Sequence, residues 1–240
     1  MKKLLIILMI FGVISCSKKK EDPTAESSYI KAIQLLKDKN YSEAAKDFEN
    51  IEDEFPFSKW AAKAQTMAVY AYYKNEDYDD VARIVDDFIR INPNHEAIDY
   101  MLYMKALSYY NQIPEINRAQ DKTKLASIAF RELNARFAQS RYYDDVENKL
   151  EFVDEHLAGA TMSVGRYAIS QKNYIGAIKN FQYVVNRYHY TNQAPEGYFR
   201  LFEIYQKLGI EKEAQKSHQN LLEKFPQNHW TKLAQNILDK

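Results

Sequence analysis

A second cysteine is missing from this chain: Cys16 is the only one in 240 residues. No intramolecular disulfide can form, so stability has to come from packing. Glycine and proline are scarce, at six each. So few helix breakers argue against a turn-rich β-sandwich or barrel and for an all-α chain. Neither sign of charge is in excess, with 33 Lys and Arg against 33 Asp and Glu. The basic footprint of a nucleic-acid binder is therefore absent. No apolar run reaches the roughly 20 residues that span a bilayer. Also missing are a glycine-rich dinucleotide loop, a P-loop lysine and a nucleophile elbow. The five histidines, His95, His156, His189, His218 and His229, show no pair at the four-residue spacing of a helical zinc site. The sequence thus offers no motif for metal binding or catalysis, and neither is expected.

What is present begins with Lys2 and Lys3, then an apolar run from Leu4 to Val13. That length suits the core of a secretory signal. Val13-Ile14-Ser15-Cys16 follows: an aliphatic residue three before the cysteine and a small one beside it. This resembles the bacterial lipobox. It implies a signal peptide of residues 1–15, cleavage before Cys16, and covalent lipid on the thiol and new amino group of Cys16. Ser17 stands where an aspartate commonly signals inner-membrane retention, which favours the outer membrane. Residues 16–27, polar and charged around Pro23, read as the lipidated cysteine and a flexible tether.

From Tyr29 onward one frame recurs. Tyr41, Ala44, Phe48, Ile51 and Pro56 place a small residue, an aromatic and an aliphatic on one helix face before a stop. Tyr78, Val81, Val85, Phe88 and Pro93 repeat it thirty-seven residues later. Ala126, Phe130, Leu133 and Phe137 form a third copy, and Tyr174, Ala177, Phe181, Val184 and Tyr188 a fourth. Ala214, Leu221, Phe225 and Pro226 form a fifth, with His218 in the aromatic position. The pattern resembles the tetratricopeptide repeat, in which helix pairs stack because none can bury its apolar face alone. The expected fold is an all-α tetratricopeptide-repeat solenoid of about five helix pairs. The expected pairs are 28–39 with 41–55, 58–75 with 78–92, 95–112 with 123–137, 140–171 with 174–188, and 192–208 with 210–225. A closing helix follows at 230–239. Residues 28–139 would hold repeats 1–3, with a surface insertion at 112–122. Residues 140–240 would hold a long connecting helix, repeats 4–5 and the closing helix. The proline-free stretch 140–171 would make one helix of about 48 Å, with Gly159 and Gly165 as points at which it bends.

More specific strings lie on this frame. They are Tyr70-Ala71-Tyr72-Tyr73-Lys74-Asn75, Phe88-Ile89-Arg90-Ile91-Asn92-Pro93-Asn94-His95, and Ile98-Asp99-Tyr100 with Tyr103-Met104. Arg141-Tyr142, Ser163-Val164-Gly165-Arg166-Tyr167 and Arg200-Leu201 continue the series. Together they resemble the BamD family (also YfiO or ComL) of outer-membrane assembly lipoproteins, over nearly all of the mature chain. The chain departs from the family at Thr161, where an acid is frequent, and at Ala168, where a second aromatic is common. The resemblance implies a scaffold on the periplasmic face of the outer membrane of a Gram-negative bacterium. Its partners would be BamA, other lipoproteins of the β-barrel assembly (BAM) complex and nascent outer-membrane β-barrel proteins. BamA contacts would come mainly from the C-terminal repeats and substrate recognition from the N-terminal ones. Rival readings are another repeat lipoprotein, such as a secretin pilotin, or a cell-wall-associated scaffold.

First helices line the inner face of such a solenoid. Tyr70, Tyr73 and Lys74 on one first helix, with Tyr100 and Tyr103 on the next, are the candidate substrate-binding residues, because aromatics give contact area at low entropy cost. Arg187, Tyr188, Arg200 and Trp230 are the candidate partner anchors, being types that interfaces favour.

Overall fold

The computed structural model describes residues 23–239, and its regular elements are all α-helices. Five antiparallel pairs run in chain order: α1 (Ala25–Lys37) with α2 (Tyr41–Glu54), α3 (Ala61–Lys74) with α4 (Tyr78–Ile91), α5 (Ile98–Tyr110) with α6 (Asp121–Arg136), α7 (Tyr143–Ser170) with α8 (Tyr174–Arg187), and α9 (Ala194–Lys207) with α10 (Glu211–Lys224). Helix α11 (His229–Leu238) packs on α9 and α10 and closes the stack. Signal peptide, Cys16 and most of the expected tether lie outside the described residues.

The recurring frame is the core. Ala44, Phe48 and Ile51, then Val81, Val85 and Phe88, then Ala126, Phe130 and Leu133, then Ala177, Phe181 and Val184 are all buried. Truncating any of these phenylalanines to Ala would cost about 3–5 kcal/mol. His218 fills the fifth aromatic position, with its ring 5.6 Å from that of Phe202. First helices touch across pairs, α1 with α3 and α3 with α5, as well as touching their own partners. They therefore form the inner layer of this part of the stack, and the second helices form the outer one.

Four of the five hairpins share one turn. Lys39, Glu76, Lys172 and Gly209 have left-handed backbones, with φ of 61°, 65°, 57° and 70°. In each, the following amide donates back to a carbonyl five residues earlier: Asn40 to Leu35, Asp77 to Tyr72, Asn173 to Ala168, Ile210 to Tyr205. This Schellman closure satisfies carbonyls that a helix end leaves bare.

The third pair lacks that turn and carries residues 111–120 instead. The sequence suggests a surface insertion; in the structure the segment is strapped onto α7. His156 Nε2 is 2.8 Å from the Pro114 carbonyl oxygen, and Ser163 Oγ donates to Asn117 Oδ1 at 3.1 Å. Buried Gln120 donates to the Glu115 and Arg118 carbonyls, and its Oε1 accepts from Thr123. The two glycines expected as bend points each face a neighbouring side chain. Gly159 lies against Ile116 of the strap, and Gly165 lies under the Phe181 ring.

The first helix also starts earlier than expected. Thr24 accepts from the Ser27 amide and Ser27 Oγ from the Thr24 amide, a reciprocal cap that draws residues 25–27 out of the tether and into α1.

Glu49 ties the first two pairs together. It accepts from the Tyr72 hydroxyl at 2.8 Å and from Arg83 at 2.7 Å. Burial opposes its ionisation, but the Arg83 guanidinium and Tyr72 hydroxyl outweigh burial and hold the carboxyl below its ordinary range. The resulting stabilisation is fully present above the unfolded-state value of about 4.3. It is lost as pH falls through the lowered folded value. Urea denaturation from pH 7 to 3 should show this decline, and Arg83→Met should flatten it. Parallel curves for the two proteins would remove Glu49 from the account.

Candidate functional site

Two first-helix starts and the start of the closing helix α11 carry one local motif. Ser58-Lys59-Trp60, Ser140-Arg141-Tyr142 and Asn228-His229-Trp230 each place a short polar residue, a basic or imidazole residue and an aromatic. Ser58 Oγ, Ser140 Oγ and Asn228 Oδ1 accept from the amide of that aromatic, at 3.3, 3.3 and 3.0 Å. Each aromatic then lies on a ring of the preceding first helix: Trp60 on Tyr29 at 4.8 Å, Tyr142 on Tyr103 at 4.2 Å, Trp230 on Phe199 at 5.1 Å. The motif staples successive pairs.

At the middle staple, the inner layer gathers tyrosines. Tyr70 and Tyr73 lie on α3 and Tyr100 and Tyr103 on α5, two inner helices that pack together. Tyr142 joins them, 6.4 Å from Tyr100 and stacked within 11° of parallel on Tyr103. Tyr103 donates its hydroxyl proton to Asp145 at 2.7 Å, and Tyr73 Oη accepts from Asn111 at 2.8 Å. Burial first, then the neighbouring Tyr142 and Tyr70 phenols, push the Tyr100 hydroxyl well above the usual phenol range, and burial with the Asp145 carboxylate does the same to Tyr103. Both stay protonated at any physiological pH. Tyr70 is the exposed member. Lys74 does not join the cluster, since its ammonium lies over Tyr41 of α2, 5.9 Å from the ring centre. The cation at the cluster is Arg141, 4.9 Å above Tyr142.

The C-terminal candidates separate. Tyr188 is buried, edge-on to Tyr183, so its ring is part of the core and not an exposed anchor. Arg200 is held by Glu196 and Glu203 and lies 5.2 Å over Trp230, so this pair serves the last staple. Arg187 is exposed and makes no ion pair among the described residues. It ends a row on the outer face of α8, Ile175, Lys179, Tyr183 and Arg187, all exposed at four-residue spacing. The row lies opposite the buried stripe of Ala177, Phe181 and Val184, where apolar side chains have no core to fill. Beside α8, a groove of about 500 Å³ runs between the strap and α7, lined by Ile116, Leu157, Val164, Tyr167 and Asn180.

Sequence reasoning missed Tyr142, Arg141, Ile175 and Tyr183. The repeated polar–basic–aromatic motif was the available signal for the first two. The four-residue row out of phase with the core was the signal for the others. Among the described residues, no group of His, Cys, Asp or Glu is arranged to hold a metal, and no helix is long and apolar enough to cross a membrane.

Stacked helix pairs with an aromatic inner face and a mixed basic and apolar outer row define a helical-repeat protein. Residues 21–222 match the family model described as YfiO, outer membrane lipoprotein, and the chain belongs to that family. It is 32% identical to the outer membrane protein assembly factor BamD of Rickettsia prowazekii, over 98% of this chain and 96% of the relative. It is 30% identical to the BamD of Caulobacter vibrioides, over 97% and 79%. A solved kinesin light chain with TPR-like repeats from Podosopora anserina is 15% identical, covering 82% of this chain and 92% of that one, with a TM-score of 0.37.

Proposed function

We propose that this chain is a lipid-anchored scaffold of outer-membrane β-barrel assembly that acts by binding alone. Lipid on Cys16 holds it to the periplasmic face of the outer membrane. The tyrosine face formed by α3, α5 and Tyr142 receives segments of unfolded barrel proteins. The α8 row ending in Arg187 docks on BamA, next to other lipoproteins of the assembly complex. Family membership supports the role, and the α8 row is the observation that carries the BamA assignment. It combines exposed Tyr183 and Arg187, types enriched in interface centres.

The row also supplies a sharper test than truncation. Deleting everything after residue 171 would strip Phe181 and Val184 from α7 and expose its core face. Arg187→Glu, by contrast, changes an exposed charge and leaves packing alone. It should reduce recovery of BamA with the affinity-tagged chain at least tenfold at an unchanged melting temperature. Full recovery of BamA would remove Arg187 and its row from the interface.

A further inference from the structure

The turns that follow the second helices share one backbone form. The amides of Ser58, His95, Ser140, Thr191 and Asn228 each donate to the carbonyl three residues earlier. The residue just before that amide stands at the tip of the turn. It is Asn94, Gln139 or Gln227 in three turns, and in a fourth it is Tyr190, whose hydroxyl is used on Asp154. In the first turn it is Phe57, with a relative exposure of 102%. The repeat frame needs no apolar side chain at that position, and a bare phenylalanine ring in water forgoes all the stabilisation of burial. Phe57 also lies next to the tether. Pro23 and Ser28 border the same hollow as Ile51 and Glu54, so the chain enters α1 beside the end of α2. Fully extended, the chain from Cys16 to Thr24 reaches at most about 29 Å. Ile30 on α1, 60% exposed, adds a second apolar side chain at this end, where no helix precedes α1 among the described residues.

We propose that Phe57 inserts into the bilayer at the boundary of headgroups and acyl chains, and so seats the N-terminal end of the stack on the membrane. The inference rests on the lipid at Cys16 and is independent of the BamA contact. Lipid supplies the hold, and Phe57 supplies the orientation. A tether alone leaves the stack free to turn. Burying one phenylalanine ring favours the seated orientation on the order of tenfold to a hundredfold. It cannot hold the chain there unaided, since even a single myristoyl chain binds marginally. Lys59 and Lys63 are exposed beside it, each 5.5 Å from the Trp60 ring centre, with stems that cover apolar surface while the ammonium stays wet. Glu52, Asp53 and Glu54 end α2 on the other side of Phe57. These acids offset the lysines, so the apolar ring, and not attraction to anionic lipid, makes the contact.

The test uses the lipidated mature chain in phosphatidylcholine vesicles that carry a doxyl quencher high on the acyl chain. Lipid blocks the Cys16 thiol, so an introduced cysteine is the one that takes a thiol-reactive NBD probe. In Lys59→Cys the probe should be quenched at least threefold more than in Gln227→Cys, which stands at the equivalent turn of the last pair. Adding Phe57→Ser to Lys59→Cys should bring quenching down to the Gln227→Cys level. Replacing part of the lipid with phosphatidylglycerol should change neither result. Equal quenching at the two positions overturns the proposal, and so does quenching that survives Phe57→Ser, since the tether alone would then explain it. A Lys59→Cys probe that stays unquenched in vesicles and responds only to an added unfolded barrel protein also overturns it, and makes Phe57 a peptide contact. Labelling of the parent chain would show a free Cys16 thiol and overturn the lipid reading itself, which keeps the two failures apart. Phe57 is exposed, so Phe57→Ser should melt with the parent.

Discussion

Gly165→Val is expected to lower the melting temperature of the chain by about 4–8 °C and to loosen α8 first. A Cβ at Gly165 would stand 2.5 Å from Phe181 Cε1, 2.8 Å from Cζ and 3.0 Å from Cδ1. Real Cβ contacts are not that short, so either ring or helix has to move. Phe181 is fully buried, and its neighbours leave it no free direction. Overpacking of this kind costs about 1–3 kcal/mol, and the β-branched side chain brings two further methyls into the same space. Replacing a helical glycine returns up to about 1 kcal/mol, so from the upper end of that range a net loss of about 2 kcal/mol remains. In a chain of this length each kcal/mol moves the midpoint by about 2–4 °C. Calorimetry reads the shift, and amide exchange along α8 locates it. Adding Phe181→Leu should return part of the loss by making room. Parent-like melting of Gly165→Val would mean that α7 and α8 do not rest on this contact.

Cys16→Ser is expected to release part of the protein from the outer-membrane fraction into the soluble periplasm. A single acyl chain gives only marginal, reversible binding, with stabilisation near 0.8 kcal/mol per buried methylene. The lipobox reading places more than one chain on Cys16, which makes the anchor stable. The described residues contain no membrane-crossing helix to replace it. BamA contact is the other tether, so the informative experiment combines Cys16→Ser with Arg187→Glu. Cell fractionation should find the single lipid variant partly retained and the double variant soluble. A double variant that still sediments with the outer membrane would show an anchor other than these two.

The repeat frame made the helices legible because it is written in buried residues. Small, aromatic and aliphatic side chains at fixed spacing have no other place to go than one core stripe, and Phe48, Phe88, Phe130 and Phe181 are fully buried. The strap was less legible. Its hold on α7 depends on single polar contacts, such as His156 with Pro114, between residues forty-two positions apart. No local pattern encodes those. The tyrosine face was half legible: periodicity brought Tyr70, Tyr73, Tyr100 and Tyr103 to one side. It could not say that Lys74 would turn to Tyr41 while Arg141 supplied the cation. Tyr188 shows the remaining ambiguity, for an aromatic at a helix end serves a core and an interface equally well until its neighbours are known.

Nearly every helix in this stack packs against the helices just before and after it in the chain. Such a protein has low contact order, and its folding can nucleate at any hairpin and spread outward. With one cysteine, proposed to carry lipid, there is no oxidation step to wait for. A chain threaded unfolded through a translocation pore can therefore begin to fold as each pair emerges, before its C-terminus has been released. Each stapling aromatic, Trp60, Tyr142 and Trp230, would then close over the pair that emerged before it.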